Sequence, residues 1–358
     1  MTAASVPSQR PAGARLLVVD RAGRLSHAAR TEFVRLLRPG DLVIANDAAT
    51  LPASLAGEHS RSGRRVELRL AGRRSLELDE VTFRAVVFGL GDFRMRTEDR
   101  PLPPTLAEGD RLALGPLRAT VTCVHAERLV TIHFHGRPSE VWAGLANHGR
   151  PIQYAHVPVP LAIWDSWTPI AGNAVAFEPP SAGFVLDWQT IRAMQAAGVR
   201  FATITHAAGI SSTGDAALDR LLPFDEPYRV PDSTALAIAD AKRRGARVIA
   251  VGTTVVRALE HAAAPDGLVH AGDGLATNRL GPSSRLQVVD ALLSGTHERN
   301  SSHHDLLRAF AGEEIIDRMD QELNAREYLT HEFGDSVFLE RQLLTVQDGS
   351  IKAEKLRV

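Results

Sequence analysis

The chain has 358 residues and a mass of 38.7 kDa, which favours two domains or one large domain carrying an insertion. Hydrophobic residues make up 44% and charged residues 23%, proportions of a folded globular protein that exclude wholesale disorder. The formal net charge of −1 argues against a surface that coats nucleic acid with positive charge, although it leaves a local basic patch open.

Mean hydropathy is −0.09, and no apolar run approaches the roughly 18 residues of a membrane span, so no membrane association is expected. The opening MTAASVPSQRPAGAR has no apolar stretch of the kind a secretory signal carries. Cys123 is the single cysteine, which excludes a disulfide framework or a thiolate metal site and fits a reducing cytoplasm, where we expect the protein. Only three of the 41 basic residues are lysine (Lys242, Lys352 and Lys355), a bias read first as composition.

Residues 1–14 read as a flexible lead-in rich in Pro, Ser, Ala and Gly. RLLVVD (15–20) follows as a strand, then a turn at 21–24 and a short helix over 28–37 that Pro39 and Gly40 terminate. DLVIAND (41–47) is a second strand ending in Asn46 and Asp47, polar residues where α/β folds build their sites. Between about 60 and 150 the texture changes to short β-rich segments, such as VELRLAG, RAVVFG and LVTIHFH, spaced roughly ten residues apart. Residues 91–110 read as a long loop within it.

From 160 onward, strands alternate with helices. Residues 187–198 predict a helix with Asp187 as N-cap and Gly198 past its end, and 199–206 the next strand. Residues 231–245 predict a helix capped by Asp232 or Ser233 and stopped at Gly245. ARVIAVG (246–252) is a buried parallel-type strand feeding a helix over 253–264, and 285–295 and 335–340 are later strands. The expected class is α/β: a mixed or parallel sheet domain from 15–59 and 151–358, interrupted by a small antiparallel β-barrel-like domain over 60–150.

Three stretches hold candidate chemistry. At Gly252-Thr253-Thr254 a buried strand turns directly into a helix, whose free N–H groups and dipole favour an anion. The same turn also serves a strand-to-helix junction that binds nothing, and it is not a Walker loop. FATITHAAGISSTGD (201–215) brings His206 to a strand end before a small-residue loop, which fits either an acid–base group or a hydrogen-bonded histidine under a surface loop. ALLSGTHERNSSHHDLL (291–307) gathers His297, His303, His304 and Asp305, but the spacing matches no zinc template, and Ser301 or Ser302 reads better as a helix cap. His133 and His135 share one strand face and read as structural. No metal site is expected.

In this order the motifs resemble the S-adenosylmethionine:tRNA ribosyltransferase-isomerase family of queuosine biosynthesis. RVIAVGTTVVRALE (247–260) is close to the family's V-I-A-V-G-T-T-S-V-R-x-L-E, and LQVVDALLSGTH (286–297) to F-K-V-V-D-x-L-L-T-N-F-H. RPGDLVIANDAATLPASLAG (38–57), PSAGFVL (180–186), AFAG (309–312) and FGDSVFL (333–339) match further family motifs. The resemblance implies an α/β domain with an inserted barrel. It also implies transfer of the ribosyl part of S-adenosylmethionine to 7-aminomethyl-7-deazaguanine in tRNA, with isomerisation to an epoxycyclopentanediol and loss of adenine and methionine.

S-adenosylmethionine is then a co-substrate, with no metal; tRNA stays open as a partner although net charge does not support it, and a monomer is favoured. The matched positions nominate His206, His297 and Glu226 as catalytic, and Asn46, Asp47, Ser181, Gly183, Gly252, Thr253, Thr254, Arg257 and Asp290 as substrate-binding. Asp290 also reads as a cap or ion-pair partner, and Arg257 as a helix-face residue.

Several family positions are replaced. The Arg positions of its T-R-V and P-A-R-L are Ala49 and Ser54, and the His of P-T-A-G-L-H-F is Val185. The His of M-H-S-E is lost while Glu226 remains. Three readings therefore follow: the family reaction; a diverged paralogue binding S-adenosylmethionine or another nucleoside with a different acceptor or reaction; and a non-catalytic RNA- or ligand-binding protein.

Overall fold

A computed structural model describes residues 1–299 and 301–342. A nine-stranded sheet runs in the order Gly272–Ala276, Glu226–Val230, Arg200–His206, Leu42–Asn46, Val248–Val251, Ala291–Gly295, Ser336–Glu340, Arg15–Val19 and Leu25–Ala29. The four strands from Arg200–His206 to Ala291–Gly295 are mutually parallel. Leu42–Asn46, Val248–Val251 and Ala291–Gly295 are largely apolar because both faces are covered, whereas Arg200–His206 is buried only over its last three residues. Leu42, Ile44, Val248 and Ala250 face a core filled by helices Asp232–Arg243, Thr253–Ala262 and Glu313–Ala325. Val43, Ala45, Ile249 and Val251 face the other core, under helix Trp188–Ala196 and the 3₁₀ segment Arg30–Leu36. The carboxyl ends of all four strands therefore meet at one edge: His206, Asn46, Gly252 and the Gly295–His297 turn.

The second unit is a closed six-stranded antiparallel barrel, in the order Leu117–Val124, Leu129–Phe134, Thr82–Phe88, Arg64–Gly72, Ser54–His59 and Arg111–Leu114. Its first strand starts at Ser54, so residues 54–59 belong to the barrel and not to the sheet domain assigned above. Helix Pro138–His148 follows the last barrel strand, and its buried Val141 and Leu145 join the barrel core. The loop over 91–110 contains a 3₁₀ turn at Thr97–Asp99 and is nailed to the barrel by Arg100. That guanidinium is fully buried, pairs with Glu67 and donates to the carbonyls of Gly89 and Gly91 at 3.1 Å.

Four local expectations change. The lead-in is docked rather than loose: Thr2–Ala3 pairs in parallel with Leu329–Thr330, Ala4 is buried, and Arg30 donates to the Gln9 carbonyl. The helix over 28–37 is instead an edge strand, Leu25–Ala29, followed by a 3₁₀ turn. The helix from Asp232 starts after Pro231, with no side-chain cap from Asp232 or Ser233. Finally, residues 285–290 are not strand. The Glu260 carboxylate accepts the N–H groups of Gln287, Val288 and Val289 at 2.7, 3.0 and 2.9 Å, replacing ladder bonds.

Candidate active site at the carboxyl edge of the sheet

A cleft opens at this edge, and four elements supply much of its wall, beside Glu178 and the 208–211 loop. The first is the turn into helix Thr253–Ala262. Gly252 has φ +98°, a conformation that favours glycine, and it lets the strand pass into the helix without a side-chain cap. Thr253 and Thr254, the first residues of the helix, line the cleft, where the start of a helix favours an anion. Asn46 braces this turn from below. Its side chain donates to the His206 carbonyl at 2.9 Å and to the Thr254 hydroxyl at 3.4 Å, and its Oδ1 accepts from the N–H groups of Ala48 and His206.

The second element is the 3₁₀ segment Ser181–Val185. Ser181 and Ala182 line the cleft. Gly183 lies behind them, where a Cβ would come within 3.1 Å of Thr168 Cγ2, so its role is close packing. Val185 fills the sheet core.

Glu226 and Arg257 form the third element, the floor. Arg257 pairs with Glu226 and donates to the carbonyls of Asn278, Phe224 and Ala276 at 2.9, 2.8 and 2.8 Å. Glu226 also accepts the Gly209 N–H. Burial pushes the Glu226 carboxyl up, and Arg257 opposes this. With so many of its donors engaged, Arg257 is a clamp that holds the floor together.

The fourth element is the turn after Ala291–Gly295. His297 lines the cleft, its Nε2 lies 2.8 Å from the Ser294 hydroxyl, and its ring stacks on His303 at 4.8 Å between centroids. Burial, reinforced by neighbouring histidines, pushes His297 well below its ordinary range and keeps it neutral. Ser301 caps the following helix by accepting from the His304 N–H, and His304 turns away to pair with Asp320 at 3.0 Å. His297 and His303 therefore share the cleft, while His304 does not join them.

Besides Asn46 and Gly183, which lie behind it, three nominated residues sit apart from the cleft wall. The His206 ring is fully enclosed, with neither nitrogen hydrogen-bonded among the described residues and Nε2 3.4 Å from Glu226. Burial, helped by Arg257, pushes it down to about 3, so it is neutral throughout the physiological range. Asp290 lies at the opposite end of the sheet. It accepts the Val248 N–H at 3.0 Å and pairs with Arg341 at 2.7 Å, about 10 Å from the cleft by strand rise, so the structure assigns it the ion-pair reading and not substrate binding. Asp47, also absent from the cleft lining, accepts from the Thr205 hydroxyl at 2.6 Å.

Glu178 was not nominated, yet it lines the cleft. It accepts from the Tyr154 hydroxyl and, at 3.0 Å, from the Ser211 N–H, and burial raises its carboxyl to about 7. The signal was a lone carboxylate ending the apolar run AVAFE directly before PPSAG. Nothing in that run reveals its partner Tyr154, 24 residues away.

A second, larger cavity of about 950 Å³ lies between barrel and sheet. Trp142 and Trp167 line it, with their indole N–H groups held by the carbonyls of Leu78 and Thr50. Thr205, bonded to Asp47, belongs to its wall, so the Asn46–Asp47 segment stands between the two cavities.

The fold and this edge define an α/β protein with an inserted barrel and a cleft at the carboxyl edge of its sheet. The profile of the family described as "Queuosine biosynthesis protein" matches residues 1–339, and the chain belongs to that family. It is 37% identical over 338 residues to an S-adenosylmethionine:tRNA ribosyltransferase-isomerase of Sorangium cellulosum, covering 87% of this chain and 88% of that one. A protein of the same name from Trichlorobacter lovleyi is 30% identical over 350 residues, covering 94% and 95%. A crystal structure of an S-adenosylmethionine tRNA ribosyltransferase from Thermotoga maritima covers 94% of both chains at 23% identity and a TM-score of 0.48. Among the described residues no helix is long and apolar enough to cross a membrane.

Proposed function

We propose that the protein is an S-adenosylmethionine:tRNA ribosyltransferase-isomerase acting in the cytoplasm, with the cleft at the carboxyl edge of the sheet as its active site. The observation that supports this reading most is the pairing, in one cleft, of a carboxyl raised to about 7 with an uncapped helix start. The reaction needs both. A group that titrates near neutrality takes the proton from the carbon beside the sulfonium, and backbone donors hold the carboxylate of the methionine half.

In this reading Glu178 is the base. The proton leaves carbon for its carboxylate and is available for return to the departing adenine. His297 with Ser294, Ser181, and the Thr253 and Thr254 hydroxyls hold the ribose hydroxyls. Glu226 and Arg257 keep the floor rigid, His206 packs beneath it, and Asn46 and Asp47 position the strand end. In the second cavity Trp167, its indole N–H held by the Thr50 carbonyl, suits a flat base from the tRNA, whereas the Trp142 ring already has Arg73 over it at 5.4 Å.

The test is a product assay with the purified protein and S-adenosylmethionine, with and without tRNA bearing 7-aminomethyl-7-deazaguanine. Adenine and methionine released only with that tRNA is the expected result. Release without tRNA points to another acceptor or to hydrolysis. Neither release nor S-adenosylmethionine binding in calorimetry overturns the reading.

A further inference from the structure

Outside the cleft wall, two braced loops bring together a set of ligand-type side chains that the mechanism above does not use. His156 lies in the connection from the barrel to the sheet domain, and His331 and Glu332 lie just before the last strand. His156 Nε2 is 3.1 Å from Glu332 Oε2, and the two imidazoles stack with centroids 4.2 Å apart. One ligand atom from each of the three residues falls within 4.8 Å of the others. A second carboxylate is at hand, with Glu298 Oε1 3.5 Å from His331 Nε2. The set is half-buried, so an ion can reach it without unfolding either loop.

Both loops are held from behind. The Gln153 side chain donates to the carbonyls of Val157 and Val159 at 2.7 and 2.6 Å and accepts the Leu161 N–H, which fixes the turn carrying His156. On the other side Asp335 accepts the N–H groups of Leu329 and Arg15 at 2.9 and 2.7 Å, while Gly334 donates to the His331 carbonyl at 3.0 Å. A Cβ at Gly334 would meet the Leu329 carbonyl at 2.3 Å, so this turn admits only glycine.

The geometry points to a binding site for a first-row divalent transition metal ion, of the zinc class, formed by His156, His331 and Glu332. Two imidazoles and a carboxylate are a donor set suited to such ions, with Glu298 or water completing the shell. Metal–nitrogen bonds of about 2.0–2.1 Å require the three donors to close in by roughly an ångström, a side-chain rotation. Hard, strongly hydrated Mg²⁺ suits the set poorly. The ion would tie the barrel connection to the last loop. It would stand one residue behind the cleft, because Tyr154, whose ring stacks over His156, donates to Glu178.

The test is calorimetric titration of the chelator-treated full chain with ZnCl₂ and, separately, MgCl₂, with Co²⁺ absorption as a second readout. The expected result is one Zn²⁺ per chain, bound far more tightly than Mg²⁺. His156→Ala and His331→Ala should each weaken binding ten- to a hundredfold and remove the Co²⁺ band. A His133→Ala/His135→Ala double variant on the barrel surface should leave both unchanged. Should either alanine variant melt out, Glu332→Gln, which keeps the side-chain volume, decides. Absent zinc binding, binding unchanged in these variants, or binding lost with the barrel histidines overturns the site.

Discussion

Two buried titratable residues beside the cleft are pushed in ways that separate their roles. Burial raises Glu178 to about 7 and lowers His206 to about 3. If Glu178 is the base, its carboxylate form is the active one. Activity should therefore rise with pH and level off above about 7, and Glu178→Gln should lower kcat by about 10²–10⁴-fold. Steady-state rates across pH 5.5–8.5 check both; a Glu178→Gln enzyme with unchanged kcat removes the assignment. His206 bears on stability instead. An unfolded chain protonates this histidine below about pH 6.5, while the native ring stays neutral to about 3. Between those values the unfolded chain binds the extra proton, so stability is lost as pH falls, by about 1.4 kcal/mol per pH unit. His206→Gln should flatten that dependence relative to the parent chain in urea melts at pH 7, 6 and 5.

At the scale of elements, the turn at Gly252 concentrates the argument. A Cβ there would meet only ordinary contacts, 3.5 Å to the Thr254 hydroxyl and 3.6 Å to Ala182, so space is not the constraint. The constraint is φ +98°, which costs an alanine about 1–3 kcal/mol. Gly252→Ala should therefore lower stability by that amount in denaturant melts. It should also weaken S-adenosylmethionine binding, because relaxing the turn re-aims the helix donors. This turn was legible in the sequence because an apolar run, a glycine and an amphipathic helix are adjacent there. The edge strand Leu25–Ala29 was not, since LSHAA lacks a β pattern and is held by pairing with Arg15–Val19. Nor was the 285–290 segment, where RLQVVD reads as a strand but Glu260, from the preceding helix, takes its donors. In both, a hydrogen-bonding partner overrides local propensity: the adjoining strand of a hairpin in the first, a helix side chain 27–29 residues away in the second.

Over the whole molecule, the alternation of texture separated barrel from sheet, because each strand's pattern reports its own burial. What it could not report is docking by polar side chains. The N-terminal segment reads as loose by composition, yet Gln9 donates to the carbonyls of Trp164, Asp165 and Trp167 at 3.1, 2.9 and 2.9 Å. Its own carbonyl accepts from Arg30 at 2.7 Å, and Ala4 packs with Val157, Phe184 and Phe333. The segment thus closes over the 3₁₀ turn Ile163–Ser166, and Ile163 and Trp167 are walls of the larger cavity. Removing residues 1–9 takes away these bonds and leaves the Arg30 guanidinium short of a partner. At about 1 kcal/mol for each net hydrogen bond, the cost is about 3–4 kcal/mol. For a chain of this size that lowers Tm by several degrees. The cleft at the sheet edge keeps all its lining residues, so S-adenosylmethionine affinity should hold while the KM for tRNA rises as Trp167 loosens. Melting curves and separate titrations of the two substrates on the truncated chain check this. An unchanged Tm would show that the segment adds nothing to the fold, and an equal loss for both substrates would show that the two cavities are not independent.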